Sequence, residues 1–316
     1  MNGLDMPHPP AIFLMGPTAS GKSSVAIDIA HHFPVEIVSV DSAQIYRYLD
    51  IGSAKPDQST QTVFPHHLID LIDPDERYSA AQFRQDALSK MIDITARGNV
   101  PLLVGGTMLY FKALREGLAN LPSADEATRS ALERTAQERG WPAMHAILQQ
   151  LDPATASHIQ PHDSQRIQRA LEVCYLTGRP MSELLAQRRA NDFPYRVFNL
   201  ALLPSDRGIL HQRIERRFDT MLEMGLVDEV SCIRARFQLA ADMPSMRCVG
   251  YRQVWMYLDN QISLAKMREM GVYATRQLAK RQLTWLRSMH ALQIFDCLAN
   301  DLSGLVKSYL QQQDCF

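Results

Sequence analysis

The most constraining feature of the sequence is the octapeptide GPTASGKS at Gly16–Ser23. An apolar run, Ala11–Met15, precedes it, and a stretch compatible with a helix, Ser24–His32, follows it. The pattern G-x-x-x-x-G-K-[ST] binds phosphate when it lies between a buried strand and the start of a helix. Successive backbone N–H groups and the positive end of the helix attract phosphate oxygens there. The sequence therefore predicts an anion-binding P-loop at the carboxyl end of the first strand.

Individual residues of this loop have separate expected roles. Gly16 and Gly21 permit a tight backbone path, and Lys22 supplies a mobile positive charge. The Ser23 hydroxyl is an oxygen ligand that can reach a bound Mg²⁺. We therefore expect Mg²⁺ as the cofactor, with Ser23 as its protein ligand.

Short apolar runs rich in β-branched residues recur along the chain and predict buried parallel strands. The runs are Ala11–Met15, Val35–Val40, Pro101–Val104, Val197–Leu203, Leu292–Phe295 and, more weakly, His67–Ile72. Each clear run lies beside a helical stretch, so the predicted fold class is α/β, a doubly wound parallel sheet with helices on both faces. Ligands bind such sheets beyond the carboxyl ends of the strands, which makes the residues after each strand candidates for the site.

Residues 122–192 interrupt this alternation with helical patterns only. Pro122 begins the segment, and a strand resumes at Val197. We therefore predict a core in two parts, residues 1–121 and 193–316, with an all-helical insertion domain between them.

Composition excludes several classes of protein. The chain has 316 residues, of which 46% are hydrophobic and 21% charged, as in a soluble globular protein. Its net charge is −1, so a polyanion site must come from local clustering. The five cysteines have no C-x-x-C spacing, and nothing indicates a zinc site. No apolar run is long enough to cross a bilayer, so we expect a cytoplasmic, monomeric protein with no membrane partner.

Two more positions follow predicted strands. Asp41 ends the second strand, where a carboxylate could hold Mg²⁺, act as a general base or cap a helix. Gln44 follows shortly after, and its carboxamide suits recognition of an adenine edge. Thr107 follows Gly105-Gly106, and it could bind phosphate, support the base or cap a helix. The sequence lacks the other strand-end carboxylate and the guanine-reading motif of many NTPases, which favours a small kinase or a diphosphate-handling transferase.

Basic residues cluster on predicted helix faces in the second half of the chain. Arg166 and Arg169 share one helix face with Gln165, and Arg276, Lys280 and Arg287 share a face of a later helix. One such face is ordinarily solvated surface, but several in a nearly neutral protein favour a surface that binds a phosphate backbone. Arg217 could instead reach the ligand of the P-loop, because arginine binds phosphates in a bidentate manner.

Six segments, taken in order, resemble the tRNA dimethylallyltransferases, also called tRNA isopentenyltransferases, and most closely the bacterial type. The segments are GPTASGKS at Gly16–Ser23, SVDSAQIYR at Ser39–Arg47, GGTMLYF at Gly105–Phe111, QRIQRALEV at Gln165–Val173, RCVGYRQVW at Arg247–Trp255 and KRQLTWLR at Lys280–Arg287. The resemblance runs from the first strand almost to the last residue, and the ordered set is far more specific than the P-loop alone.

The resemblance implies a P-loop NTPase-like core that holds dimethylallyl diphosphate instead of ATP. It implies transfer of the dimethylallyl group to the exocyclic N6 of the adenosine 3′ of the anticodon, and an insertion domain that grips the tRNA anticodon stem-loop. Within this reaction the weakly nucleophilic N6 needs a proton acceptor, and we expect Asp41 to be that base, assisted by Thr107. The implied diphosphate-binding residues are Gly16, Thr18, Ala19, Ser20, Gly21, Lys22, Ser23 and Arg217.

The same resemblance implies an extended set of tRNA-binding residues. They are Asp41, Ser42, Ala43, Gln44, Thr107, Arg129, Gln165, Arg166, Ile167, Gln168, Arg169, Arg247, Cys248, Val249, Gly250, Tyr251, Arg252, Lys280, Arg281, Gln282, Leu283, Thr284, Trp285, Leu286 and Arg287.

Three alternative functions fit parts of the sequence. A P-loop small-molecule kinase would hydrolyse ATP or transfer its phosphoryl group. An isopentenyltransferase acting on free adenine nucleotide would be faster on AMP than on an anticodon stem-loop. A non-catalytic RNA-binding module with a relic P-loop is disfavoured, because Asp41 and Thr107 accompany an intact GKS triplet.

Overall fold

The computed structural model describes residues 8–119, 121–187, 193–313 and 315–316. The chain divides into two compact units, residues 1–115 with 193–316 and residues 116–192. The second unit begins at Glu116, the last residue of the helix Met108–Glu116, and therefore slightly before the predicted boundary at residue 122. Among the described residues, no helix is both long and apolar enough to span a membrane.

A six-stranded sheet forms the centre of the first unit. Its strands are β1 (Pro10–Met15), β2 (Val35–Val40), β3 (His66–His67), β4 (Val100–Gly105), β5 (Arg196–Leu203) and β6 (Gln293–Asp296). They lie in the order β3-β2-β4-β1-β5-β6, and every neighbouring pair is parallel. The predicted α/β class is confirmed, and the observed strands overlap all five clear apolar runs.

The weaker strand prediction, His67–Ile72, is wrong over most of its length. β3 contains only two residues, because Leu68 and Asp70 adopt left-handed backbone conformations with φ of 63° and 56°. Such residues cannot continue an extended ladder. The chain instead runs beside the segment after β2, where the Leu71 N–H donates to the Ile45 carbonyl at 2.8 Å.

Helices cover both faces of this sheet. The helices of the first unit are α1 (Lys22–His32), α2 (Gln58–Val63), α3 (Ala80–Ala96), α4 (Met108–Glu116), α10 (Arg207–Glu223), α11 (Leu226–Arg236), α12 (Tyr251–Leu258), α13 (Leu264–Ser288) and α14 (Leu302–Gln311), of which α11 and α12 pack in a separate core beside the sheet. Alternate residues of β1 enter opposite cores: Phe13 packs with the helix face of α3 and α4, whereas Leu14 packs with α1 and α14. This alternation is why an all-apolar strand is stable only between two helical layers.

The second unit is helical, as the sequence predicts. Its helices are α5 (Glu126–Arg139), α6 (Trp141–Leu151), α7 (Pro153–Ala156), α8 (Ser164–Thr177) and α9 (Met181–Ala186). Leu132, Leu148 and Leu171 belong to its own buried core. The last helix was predicted to continue to Ala190, and residues 188–190 lie outside the described residues.

Candidate active site

The P-loop joins β1 to α1 through two residues with positive φ. Ala19 has φ of 62°, and Gly21, which directly precedes the helix, has φ of 85°. The absence of a side chain at Gly21 makes this conformation accessible without strain. The Ser20 hydroxyl is fully buried and has no hydrogen-bond partner among the described residues. Because buried polar atoms are normally satisfied, this hydroxyl suits an oxygen-rich ligand such as a phosphate.

Lys22 and Arg217 lie near each other and near the Asp41 carboxylate, and these charges influence their pKa values. Burial and, to a lesser extent, the Arg217 charge lower the pKa of Lys22 to about 8, against the opposing influence of the Asp41 carboxylate. Burial also lowers the pKa of Arg217, again against the opposing influence of Asp41. The Lys22 ammonium donates to the Pro17 carbonyl at 2.7 Å. Both side chains are half-buried, and a bound polyanion would relieve the cost of placing two cations close together.

Asp41 is the first residue after β2. Its Oδ1 accepts a hydrogen bond from the Ala43 N–H at 2.8 Å, which fixes the carboxylate at the start of a turn. Of the three roles left open by the sequence, helix capping is therefore wrong, because residues 42–45 form a turn and not a helix. The half-buried carboxylate remains available for chemistry beside Lys22 and Arg217.

Thr107 connects the loop after β4 to the loop after β2. Its Oγ1 accepts from the Ser42 N–H at 3.1 Å and donates to the Ser42 hydroxyl at 3.4 Å. Its own N–H donates to the Val40 carbonyl at 3.2 Å. Thr107 thus fixes the residue that follows Asp41, which suits a supporting role for the base.

The sheet order explains why these loops meet. β4 lies between β2 and β1, and Gly105 at its end is paired with both Val40 and Met15. A Cβ atom on Gly105 would lie 2.0 Å from the Val40 carbonyl oxygen, so only glycine fits there. The P-loop after β1 and Asp41 after β2 consequently lie on either side of Gly105, the last residue of β4.

Neutral groups complete the surroundings of Asp41. Burial and the nearby Asp41 charge together raise the pKa of Cys248 to about 12. Burial also raises the pKa of Tyr110, with the charges of Tyr46 and Asp41 as further causes. The thiol and the phenol therefore stay protonated at neutral pH and do not compete as bases. Residue type and spacing do not single out Tyr110, because it lies within an apolar helix face, where it stacks on Phe83 with ring centroids 4.3 Å apart.

Gln282 enters the site from α13. Its Oε1 accepts from the Thr18 N–H at 2.8 Å, and its Nε2 donates to the Gly106 carbonyl at 3.0 Å. The sequence placed Gln282 among the tRNA-binding residues, together with Leu283 and Leu286. All three side chains are buried, so this part of the prediction is wrong for their side chains.

Other members of the predicted RNA-binding segments are exposed. In α13 the exposed members are Lys280, Arg281, Thr284, Trp285 and Arg287. Arg247 and Arg252 are also exposed, and Val249 is half-buried, whereas Gly250 and Tyr251 between them are buried. The Tyr251 hydroxyl donates to Glu229 at 2.7 Å, so this tyrosine anchors the segment internally. The surface cations are therefore available to phosphates.

In the second unit, two of the predicted RNA-binding arginines are held by a buried carboxylate. Glu172 is fully buried and accepts from the Asp125 N–H and from the guanidinium groups of Arg129 and Arg169. The side chains of these two arginines are only 27% and 31% exposed. Their first role is therefore to neutralise Glu172, and a contact of either arginine with tRNA stays a prediction.

The rest of that helical segment divides by face. Gln165 and Arg166 are exposed, although Arg166 also pairs with Asp163. Gln168 is half-buried and donates to Glu133 at 2.9 Å. Ile167 is fully buried in the core, so its side chain cannot contact RNA.

The Gln44 side chain is occupied within the protein. Its Oε1 accepts from the Ser39 hydroxyl at 2.8 Å, and its Nε2 lies 3.4 Å from the carbonyls of Ser53 and Ala54. The expected recognition of an adenine edge is therefore not what this carboxamide does in the structure. It holds the loop after β2 in place.

The donor set suits a weakly coordinated hard cation. Ser23 is exposed in the first turn of α1, and the described residues contain no cluster of three or more metal-binding side chains. A hydroxyl beside a phosphate-binding loop fits Mg²⁺, which takes few protein oxygens and retains water and substrate phosphates as ligands.

Comparison with known proteins identifies similar sequences and folds. A family model described as IPP transferase matches residues 44–289, and one described as isopentenyl transferase matches residues 10–71. The chain is 70% identical over 316 residues to the tRNA dimethylallyltransferase of Nitrosomonas eutropha, covering 100% of both chains.

Solved structures are similar as well. The full-length tRNA isopentenylpyrophosphate transferase from Bacillus halodurans is 34% identical, with a TM-score of 0.68, over 96% of this chain and 97% of that one. A eukaryotic dimethylallyltransferase acting on tRNA shares the fold, with a TM-score of 0.78 and 23% identity over 97% of this chain and 81% of that one.

Proposed function

The chain belongs to the IPP transferase family, and from this membership we propose that it has tRNA dimethylallyltransferase activity. The reaction transfers the dimethylallyl group of dimethylallyl diphosphate to N6 of the adenosine 3′ of the anticodon. The observation that carries the proposal is the placement of a P-loop and a strand-end carboxylate on either side of Gly105. One side suits a diphosphate, and the other suits a proton acceptor.

In the proposed reaction, the bond between C1 of the dimethylallyl group and the diphosphate oxygen breaks, and the electron pair leaves with the diphosphate. N6 of the adenine forms a new bond to C1 and loses one proton. The products are N6-dimethylallyladenosine, diphosphate and that proton. The protein must therefore stabilise an anionic leaving group and accept a proton from a weak neutral nucleophile.

The leaving group is the role for the P-loop, Lys22 and Arg217. Negative charge grows on the diphosphate as the C–O bond breaks, so preorganised cations and N–H groups stabilise the transition state. The lowered pKa of Lys22 marks a cation that is destabilised in the free protein. A diphosphate restores its preference for the charged form, and this links donor binding to the protonation of Lys22.

Proton transfer is the role for Asp41, with Thr107 as its support. The adenosine must leave its stack to place N6 beside the carboxylate, as in other enzymes that modify bases. The two hydrogen bonds between Thr107 and Ser42 hold the loop that carries Asp41. Because the Cys248 thiol stays protonated at neutral pH, it does not compete with Asp41 as the proton acceptor.

The RNA partner is the anticodon stem-loop of tRNA. Exposed cations of the 247–252 and 280–287 segments contact its phosphates in this proposal, together with Arg166 of the helical unit. Phosphate contacts make affinity depend steeply on salt. We also propose that the protein is monomeric and works in the cytoplasm.

Mg²⁺ is the proposed cofactor, with Ser23 as its protein ligand. When bound, the ion neutralises part of the charge of the diphosphate. The protein's own contribution there is one exposed hydroxyl at the start of α1, which leaves the remaining positions to water and substrate oxygens.

The direct test incubates the protein with dimethylallyl diphosphate, Mg²⁺ and unmodified tRNA and measures the mass of the digested nucleosides. The expected result is the addition of C5H8 to one adenosine. Two parallel reactions separate the alternatives: ATP with a panel of hydroxyl substrates tests a kinase, and AMP in place of tRNA tests a nucleotide isopentenyltransferase. Phosphoryl transfer from ATP, or a faster rate on AMP than on tRNA, would contradict the proposal.

A further inference from the structure

A single buried side chain from α13 connects the two halves of the candidate active site. Gln282 accepts a hydrogen bond from the Thr18 N–H at 2.8 Å and donates one to the Gly106 carbonyl at 3.0 Å. The residue is only 8% exposed. Thr18 belongs to the P-loop, and Gly106 immediately precedes Thr107. The contact to Thr18 spans 264 positions of the sequence.

The chemistry of these two partners requires a carboxamide. Thr18 offers a backbone donor and Gly106 a backbone acceptor, so the bridging group must accept at one atom and donate at the other. Glutamine does both, whereas an ionised glutamate only accepts and a methionine does neither strongly. The same partners fix which atom of the amide is oxygen and which is nitrogen.

The bridge lies in a closely packed place. A Cβ atom on Gly106 would lie 2.2 Å from the Gln282 Nε2, so the glycine permits this approach. On the other side, Ala279 and Leu283 of α13 pack with Leu210 and Ile214 of α10. Because α10 also carries Arg217, one helix pair places both the bridge and a phosphate-binding cation.

We propose that Gln282 is a positioning residue that sets the distance between the diphosphate held by the P-loop and the base Asp41. The inference rests on the proposed function and adds a residue to it. From Gly106 the connection continues through Thr107 and Ser42 to the turn that begins at Asp41. From Thr18 it continues into the loop that binds the leaving group. Loss of the bridge lets the two loops move apart without removing any group that touches a substrate.

The test measures kcat and the KM values of both substrates for Gln282→Met, with Gln277→Met as the matched control. Gln277 is half-buried on the same helix, so this control makes the same substitution away from both loops. We expect kcat of Gln282→Met to fall about 10- to 100-fold, since displacements of about 1 Å between reacting groups have effects of this size. The KM for tRNA should stay within about twofold, because the side chain does not reach the surface.

A second variant keeps the inference falsifiable if Gln282→Met folds poorly. Gln282→Glu preserves the size and the acceptor, loses the donor to Gly106 and adds negative charge beside the P-loop. We expect it to lower kcat as well and, in addition, to raise the KM for dimethylallyl diphosphate by about tenfold. Thermal unfolding of each variant gives the folded fraction used to normalise kcat.

Three results would overturn the inference. If Gln282 contacts RNA, the KM for tRNA rises and kcat is unchanged. If it serves only stability, the melting temperature falls and kcat per folded molecule is unchanged. If it has neither role, both variants match Gln277→Met. Unmodified tRNA after reaction with the unsubstituted protein would instead contradict the proposed function itself, which distinguishes the two failures.

Discussion

Lys22 gives the donor site a pH dependence that can be calculated from its surroundings. Burial and Arg217 lower the pKa of Lys22 from its ordinary 10.5 to about 8. With that pKa, the charged fraction falls from about 90% at pH 7 to about 10% at pH 9. If only the ammonium form binds the diphosphate productively, kcat/KM for dimethylallyl diphosphate falls about tenfold over this interval. The value for kcat/KM is the relevant one because it reports the protein before dimethylallyl diphosphate binds.

The assay measures this kcat/KM at saturating tRNA across the same pH range, with Lys22→Arg as the control. An arginine keeps its charge throughout, so its profile should be flat even if its activity is lower. Unfolding does not explain the expected loss. Because the folded pKa lies below the unfolded value, the unfolded chain binds more protons between about pH 8 and 10.5, and this group makes the fold more stable as pH rises. Identical profiles for the unsubstituted protein and Lys22→Arg would refute the reasoning.

Three further predictions concern the base, the helical unit and the RNA surface. Asp41→Asn should lower kcat by about 10²- to 10⁴-fold while binding of donor and tRNA persists in equilibrium measurements, and near-normal turnover would exclude Asp41 as the base. Glu172→Ala should destabilise the helical unit by about 3–5 kcal/mol in chemical denaturation, because it leaves Arg129 and Arg169 without their buried partner. Burial alone would raise the pKa of Glu172, but the hydrogen bonds from the two arginines lower it below its ordinary value. The stability that these ion pairs contribute should therefore be present at neutral pH and be lost on acidification. Unfolding that does not depend on pH would contradict this expectation. Arg287→Gln should lower the slope of log affinity for tRNA against log salt by about one, and an unchanged slope would show that Arg287 contacts no phosphate.

The sequence predicts the core of this fold well because its strands are short, apolar and buried. Val35–Val40 was predicted with its observed bounds, and the helical pattern of the insertion appears in α5 to α8. Both signals are local: they depend on periodicity within about ten residues. His67–Ile72 was misassigned because the left-handed conformations of Leu68 and Asp70 leave no mark in hydropathy.

The parts of the site that directly follow a strand were predictable from the sequence. The P-loop, Asp41 and Thr107 all lie where the sheet order requires, beyond the carboxyl ends of β1, β2 and β4. Partners across long separations were not predictable. Helical periodicity placed Arg169 beside Arg166 on one face, but it could not show that Glu172 of α8 is buried and holds the guanidinium of Arg129 on α5, 43 positions earlier in the chain. In the same way, the basic residues Lys280 and Arg281 next to Gln282 suggested an exposed RNA-binding segment, whereas the Gln282 side chain is buried.

The position of β1 in the middle of the sheet has a consequence for biosynthesis. One of its neighbours, β5, is translated only after the whole helical unit, and the contact from Gln282 to Thr18 joins residues 264 positions apart. A nascent chain that ends before Arg196 therefore carries a P-loop strand with one open edge, the kind of surface on which chaperones act and from which aggregation begins. Competence to hold the donor arises late on the ribosome, when the last long helix has emerged.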